Sequence, residues 1–372
     1  SNYIRICKQM LGTDSIGIDE LCQPITIENP AGINPRLDVS PNSNYFTLKD
    51  LRNTLRASER NALADGDRIS NHAKEWHPLH SKVAYQLKHE SKDLEYVAWL
   101  IESNCRINGF KGLTKGFNLA TELINQYWDK ITPEIDEGEI DKLMPLVGLN
   151  GIEGDGTLIG PIREITITES EDQSYSLWQY EQAVEIERLD SAKKKKRIDA
   201  GATVLEDVST CAQNASNNFL LELNKDIKQA IDAFSKLTEV MDLKTKGSVP
   251  TSNIKQTLHS AQSALIQLAG DRIRNSAKPI KENSDSESVE VQNTENSDSF
   301  VQHQKLNRDI ALSNLTQIAT FFKETEPHSP MSYAIEQVIR WSHMPLPELL
   351  TELITNEDAR NGYFRLSGIK PK

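Results

Sequence analysis

Ser91 to Cys105 reads SKDLEYVAWLIESNC. Its apolar residues Leu94, Val97, Ala98, Ile101 and Cys105 fall at i, i+3, i+4, i+7 and i+11, which lines them along one side of an α-helix. Ser91 stands where an N-cap is needed, since a serine hydroxyl can accept from a backbone N–H of the first turn. Asn108-Gly109 predicts the end of the run. Beyond it, FNLATELINQYWDK repeats the spacing with Phe117, Ala120, Thr121, Ile124 and Trp128. Two amphipathic helices joined by a short glycine-containing connection predict an antiparallel helical hairpin.

Upstream lies PITIENPAGINPRLDVSPNSNY, where Pro24, Pro30, Pro35 and Pro41 forbid a long helix and predict an ordered arm. Downstream of ITPEIDEGE a short helix is predicted from about Ile140 to Leu149. GIEGDGTLIGPIREITITES then favours a loop with a short extended piece, ITIT being the best strand candidate. From Ser176 to about Asn275 the pattern is helical, with a charged break at AKKKKRID and a turn at KGSVPTSN. Ser276 to Ser299 carries six acids among serines and asparagines. So little apolar surface predicts a flexible linker.

The last region, from about Gln304, is small enough that oligomerisation would help its stability. Ser329-Pro330 reads as a helix start, the serine capping and the proline in the first position, where a missing N–H costs nothing. Met331, Ile335, Val338 and Trp341 form its stripe, with Ala334 beside them. Pro345 and Pro347 end this helix and start another bearing Leu349, Leu350, Leu353 and Ile354. Ile310, Leu315, Ile318, Phe321 and Phe322 supply a third, so a three-helix unit is expected. The fold class is therefore mainly α: a multi-domain helical protein with at most a short strand or hairpin near residues 158–168.

The chain has 372 residues, 54 acidic against 42 basic, a net charge of −12 and a pI near 5.3. That length suits two or three domains. The acidic balance argues against gripping nucleic acid or anionic lipid, both of which need an excess of Lys and Arg. Four dispersed cysteines, Cys7, Cys22, Cys105 and Cys211, include no CxxC pair and read as reduced thiols, with Cys105 a small core residue. No run approaches the length of a bilayer span, and the N-terminus lacks a basic segment followed by a hydrophobic one, so neither a membrane span nor a signal peptide is expected. A cytoplasmic protein is the expectation. Ser1-Asn2 is given no structural meaning.

Each cluster that looks chemical has a plainer reading. NHAKEWHPLH sets His72, His77 and His80 near Glu75, with His89 farther on, but Pro78 interrupts the helix that would place metal ligands on one face. GFKGLTKG and GIEGDGTLIG match neither GxxxxGK[ST] nor GxGxxG and follow no buried strand, so their glycines read as turns and helix ends. KKKKR at Lys193 to Arg197 lacks interleaved aromatics and reads as a solvated helix face. Glu134, Asp136, Glu137 and Glu139 lack the DxDxDG spacing of a calcium loop. No GxSxG elbow occurs. No catalytic residue, metal or cofactor is expected.

PAGINPRLD (Pro30 to Asp38), SKDLEYVAWLIESNCRINGFKGLTKGFNLATELINQYWDKITPEIDEG (Ser91 to Gly138) and GTLIGPIREITIT followed by YSLWQYEQA (Gly156 to Ala183) resemble, in that order, the ImpA-type N-terminal domain shared by TssA proteins of type VI secretion systems. The specific elements are SKDL, AWL, GFxGL and QYWD, carried by Ser91, Lys92, Asp93, Leu94, Trp99, Gly109, Phe110, Gly112, Leu113, Tyr127 and Trp128. FFKETEPHSPMSYAIEQVIRWSHMPLPELL (Phe321 to Leu350) resembles the C-terminal region of one branch of the family.

The resemblance implies a non-enzymatic assembly factor at a phage-like baseplate, helping to start or guide tube and sheath growth and self-associating into rings. Implied partners are further copies of the chain and baseplate, tube and sheath proteins, with the membrane complex an additional candidate, and neither nucleic acid nor direct membrane insertion. The expected organisation is an ImpA-type domain over 1–183, a helical middle region over 184–275, an acidic linker over 276–303 and a helical oligomerisation domain over 304–372. Tyr333, Arg340, Trp341, Met344 and Leu346 are the candidates for subunit contact. The alternatives are a relative that caps or stops sheath growth, or a hydrolase using His328 or His343 with a nearby serine or glutamate.

Overall fold

The computed structural model describes residues 17–134, 138–276, 312, 315–316, 318–323, 330–342 and 344–353. Residues 277–303 of the expected acidic linker, His328 and His343 lie outside them, whereas Ser276 is still helical. Contacts divide the chain into two compact units, Ser1–Lys281 and Glu282–Lys372. The described residues of both are mainly α-helical.

The first unit opens with α1 (Ile18–Cys22), the arm, α2 (Asn44–Ala64), a 3-10 turn (Ile69–Trp76) and α3 (His77–His89). At its centre is α4 (Leu94–Tyr127), broken at Gly109, whose φ of 56° and ψ of −137° are not helical. Such a conformation is open to glycine and strained for other residues. The break reverses the chain, so residues 94–108 and 110–127 run back against each other. Gly112 shows the fit: a Cβ there would meet the Asn104 carbonyl oxygen at 2.1 Å. At the open end Leu94 N–H donates to the Thr132 carbonyl over 2.8 Å. The expected antiparallel hairpin is present, with Leu94, Val97, Ile101, Phe117, Ala120 and Ile124 all in the core.

The cap differs from expectation. Asp93, not Ser91, is the N-cap of α4, accepting from Glu95 N–H and Tyr96 N–H. A carboxylate also complements the positive end of the helix dipole better than a hydroxyl. Ser91 instead forms an isolated antiparallel bridge with Gly32 of the arm.

After α4 come α5 (Glu139–Lys142) and α6 (Met144–Asn150), two short pieces where the sequence predicts one, then α7 (Ile159–Arg163). A hairpin of β1 (Thr166–Glu169) and β2 (Ser174–Ser176) is the sheet among the described residues. ITIT thus supplies a strand, while the stretch just before it is helical. α8 (Leu177–Glu187) starts on a capping box, in which Ser176 and Gln179 bond reciprocally.

AKKKKRID is not a break: it forms α9 (Ser191–Asp199), capped by Asp190. Lysines and arginine are good helix formers, and no residue of the segment is buried, so no charge has to leave water. α10 (Leu205–Asn214), α11 (Asn217–Thr245) and α12 (Ser252–Ser276) follow. α11 lies along α4, Phe234 meeting Phe117 at a centroid distance of 4.9 Å. Buried Asn150 accepts from the Ile254 N–H at 2.9 Å and caps the start of α12. Arg272 collects the carbonyls of Ala212 and Gln213 in the last turn of α10 and of Ala215 just after it. Each tie satisfies backbone groups that a helix end leaves unpaired.

In the second unit residues 318–323 are helical, α13 spans Pro330–Ser342 and α14 Leu346–Leu353. Glu352 on α14 accepts from Gln337, Arg340 and Trp341 on α13, which holds the two helices side by side.

Candidate functional site

Three segments far apart in sequence meet at the N-terminus of α4. The arm brings Arg36, the α3–α4 corner brings Lys92 and Asp93, and the chain leaving α4 brings Thr132. Asp93 is wholly buried. Its Oδ2 accepts from Arg36 Nη1 at 2.6 Å and Thr132 Oγ1 at 2.6 Å, and its Oδ1 from Glu95 N–H at 2.9 Å and Tyr96 N–H at 3.2 Å. A buried carboxylate is tolerable only when its lone pairs are filled in this way. Arg36 also donates to Glu95 Oε2 at 2.6 Å, and Tyr45 hydroxyl donates to the same oxygen at 2.8 Å. Burial works against the guanidinium charge, but the Asp93 and Glu95 carboxylates outweigh it and hold Arg36 above its ordinary value.

Lys92 is equally buried and, among the described residues, has no carboxylate partner. Its Nζ donates to the carbonyls of Leu21 and Leu87, each at 2.6 Å. Both carbonyls belong to last helical turns, of α1 and α3, so the ammonium sits where two helix dipoles present their negative ends. Burial nonetheless pushes Lys92 down to about 8. Its backbone N–H donates to the Ala31 carbonyl at 2.7 Å, and Ile33 N–H to the Glu90 carbonyl at 3.1 Å. This docking requires Gly32: with φ at 77°, a Cβ would lie 2.1 Å from the Glu90 oxygen.

A second polar layer joins α2 to the first half of α4. Arg106 makes a two-pronged pair with buried Glu59 at 2.5 and 2.8 Å and lies 3.7 Å over the Trp76 ring. Arg52 pairs in the same way with buried Glu102.

The motif residues are therefore mostly interior. Ser91, Lys92, Asp93, Leu94, Trp99, Phe110, Gly112, Leu113 and Tyr127 are buried, while Gly109 and Trp128 are half-buried. Trp99 stacks on Tyr45 at 5.9 Å, and Tyr127 hydroxyl donates to the Cys22 carbonyl at 2.7 Å. Burial raises the Cys22 thiol to about 11 and the Cys105 thiol to about 12, so neither is a ready nucleophile.

The sequence reading missed the outer face of the arm. Ile27, Leu37 and Val39 are 92%, 77% and 80% exposed, with Ile33 also at the surface. The alternation of prolines with β-branched residues was the available signal. In the second unit Tyr333 is 63% exposed, Arg340 is exposed, and Trp341 and Met344 are half-buried. Leu346 opens α14.

His72 meets Glu75 at 2.7 Å and Asp67 at 3.0 Å through its two ring nitrogens. Among the described residues no three His, Cys, Asp or Glu side chains gather as metal ligands, and no helix is long and apolar enough to cross a membrane.

Residues 22–151 match the family described as ImpA, N-terminal, type VI secretion system. Over 80 residues the chain is 35% identical to the type VI secretion system component TssA1 of Pseudomonas aeruginosa, a match covering 22% of this chain and 22% of that protein. Its fold is similar to a solved N-terminal domain, including the conserved ImpA_N region, of the TssA component from Burkholderia cenocepacia. That likeness has a TM-score of 0.56 at 20% identity and covers 71% of this chain and 96% of the other. The shared fold thus extends well beyond the stretch that the family description matches.

Proposed function

We propose that this chain, whose residues 22–151 are the ImpA-type N-terminal domain of a type VI secretion TssA component, is a non-enzymatic assembly protein. It acts at the baseplate and tail to start or guide tube and sheath growth. The observation that carries this reading is the three-segment junction at Lys92 and Asp93. The residues that most resemble the family are spent on holding the arm against the helical hairpin, and so on presenting a rigid surface. Rigid presentation of a surface is what an assembly partner needs.

In this reading the exposed arm of the first unit contacts a tail or baseplate component, and the second unit self-associates. α13 supports the latter: Tyr333 and Val338 stand exposed on an amphipathic helix that Glu352 clamps to α14. Apolar surface left uncovered on so small a unit is stabilised by a second copy. The protein works in the cytoplasm, as a ring.

Light scattering on the full chain during size-exclusion chromatography tests the self-association. A multimer that Tyr333→Ser with Val338→Ser dissociates supports the proposal. A concentration-independent monomer overturns it.

A further inference from the structure

A cavity of about 260 Å³ lies where the break in α4 faces the turn before β1 and the first half of α11. Its walls are largely apolar, from Ile69, Phe110, Pro161, Ile165 and Leu223, while Glu164 and Asp226 place two carboxylates in it. Two local features make it hungry for a positive charge. The first half of α4 ends at Asn108 on the cavity wall, so the negative end of that helix dipole lies beside the space. The Glu164 carboxylate is also under-satisfied. Its Oε2 is sealed from solvent beside the space and accepts no hydrogen bond; it is held only by a long ion pair to Arg68 Nε at 3.8 Å, and neither Nε nor Nη2 of that arginine makes a hydrogen bond. Burial raises the Glu164 carboxyl above its usual range and Arg68 only partly counters it.

The charges do not cancel. Arg106 lines the cavity but is consumed by Glu59. Arg68 offsets one carboxylate, and among the described residues Asp226 has no ion pair, so one negative charge is left over. The space holds about nine waters' worth of volume, below the usual size of a drug-like site.

We infer that this cavity is a binding site for a single alkylguanidinium or alkylammonium group, its stem against Phe110, Ile165 and Leu223 and its cationic tip between Glu164 and Asp226. An arginine or lysine side chain has this build, an apolar stem carrying a charged head. The same chemistry could arrive on a protein segment or as a free small amine, and the inference does not depend on the secretion role.

Titration calorimetry on the full chain decides it, with three probes: butylguanidinium, its uncharged isostere butylurea, and the blocked tripeptide acetyl-Gly-Arg-Gly-amide. Saturable binding of butylguanidinium or the tripeptide, weakened at least tenfold by Glu164→Gln and several-fold by Asp226→Asn, supports the site. Preference for the tripeptide assigns it to a protein-borne arginine, and exclusion of the tripeptide to a free amine. Asp226 is half-exposed on α11, so Asp226→Asn keeps the test decisive should Glu164→Gln fold poorly. Absence of saturable binding at millimolar probe, equal binding of butylurea, or binding indifferent to both substitutions overturns it.

Discussion

Arg36 Nη1 and Asp93 Oδ2 are 2.6 Å apart across 57 residues of sequence, one side chain a quarter exposed and the other wholly buried. This pair fastens a helix-free arm to the N-terminus of the central hairpin, and the surface that the arm displays depends on it.

Arg36→Ala leaves the Asp93 charge buried with fewer donors. The expected loss is about 2–3 kcal/mol of unfolding free energy, under the ~3–5 of a fully buried pair because water reaches the Arg36 site. Urea denaturation measures it. Arg36→Lys should recover only part, since an ammonium cannot span both Asp93 and Glu95 as the guanidinium does.

Lys92 predicts a pH signature. Its folded value of about 8 lies below the unfolded value near 10.4, so between those limits the unfolded chain holds more protons. Stability relative to Lys92→Met should therefore be flat below about pH 8 and rise from there to about pH 10.5, as the buried ammonium loses its proton. Urea midpoints of both proteins across that range would show it. A constant difference would mean that the carbonyls of Leu21 and Leu87 hold the charge at no cost.

The hairpin can be tested at one atom. Gly112→Ala places a methyl 2.1 Å from the Asn104 oxygen, whereas Gly160→Ala on α7 meets nothing within 4 Å. The first should cost several kcal/mol because two packed backbones must separate, and the second should be near neutral or slightly stabilising. Thermal unfolding of the two variants discriminates them.

Ile27, Leu37 and Val39 face water, so replacing all three by serine should leave the melting temperature within a few degrees of the parent. If the arm contacts a tail component, capture of that component should drop at least tenfold. Unchanged capture would move the contact surface elsewhere.

Much of the fold was legible. The 3.6-residue period from Leu94 to Cys105, the stop at Asn108-Gly109 and the second stripe from Phe117 define a hairpin by local rules alone. What local rules could not supply was the use of SKDL. The choice of Asp93 over Ser91 as cap depends on Arg36 and Thr132 arriving from elsewhere, and the burial of Lys92 depends on two helix ends meeting around it. AKKKKRID misled because charge density was read as a break, although lysine favours helix wherever its head stays in water. The cavity at Glu164 was invisible because its walls come from four separate segments.

Affinity capture from the native cell, with the full chain as bait, tests the assembly role most directly. The account predicts recovery of tail-sheath and baseplate proteins together, lost in the Ile27, Leu37 and Val39 variant and retained by Asp226→Asn. Recovery of none of them, from cells in which the secretion apparatus is assembled, would contradict it.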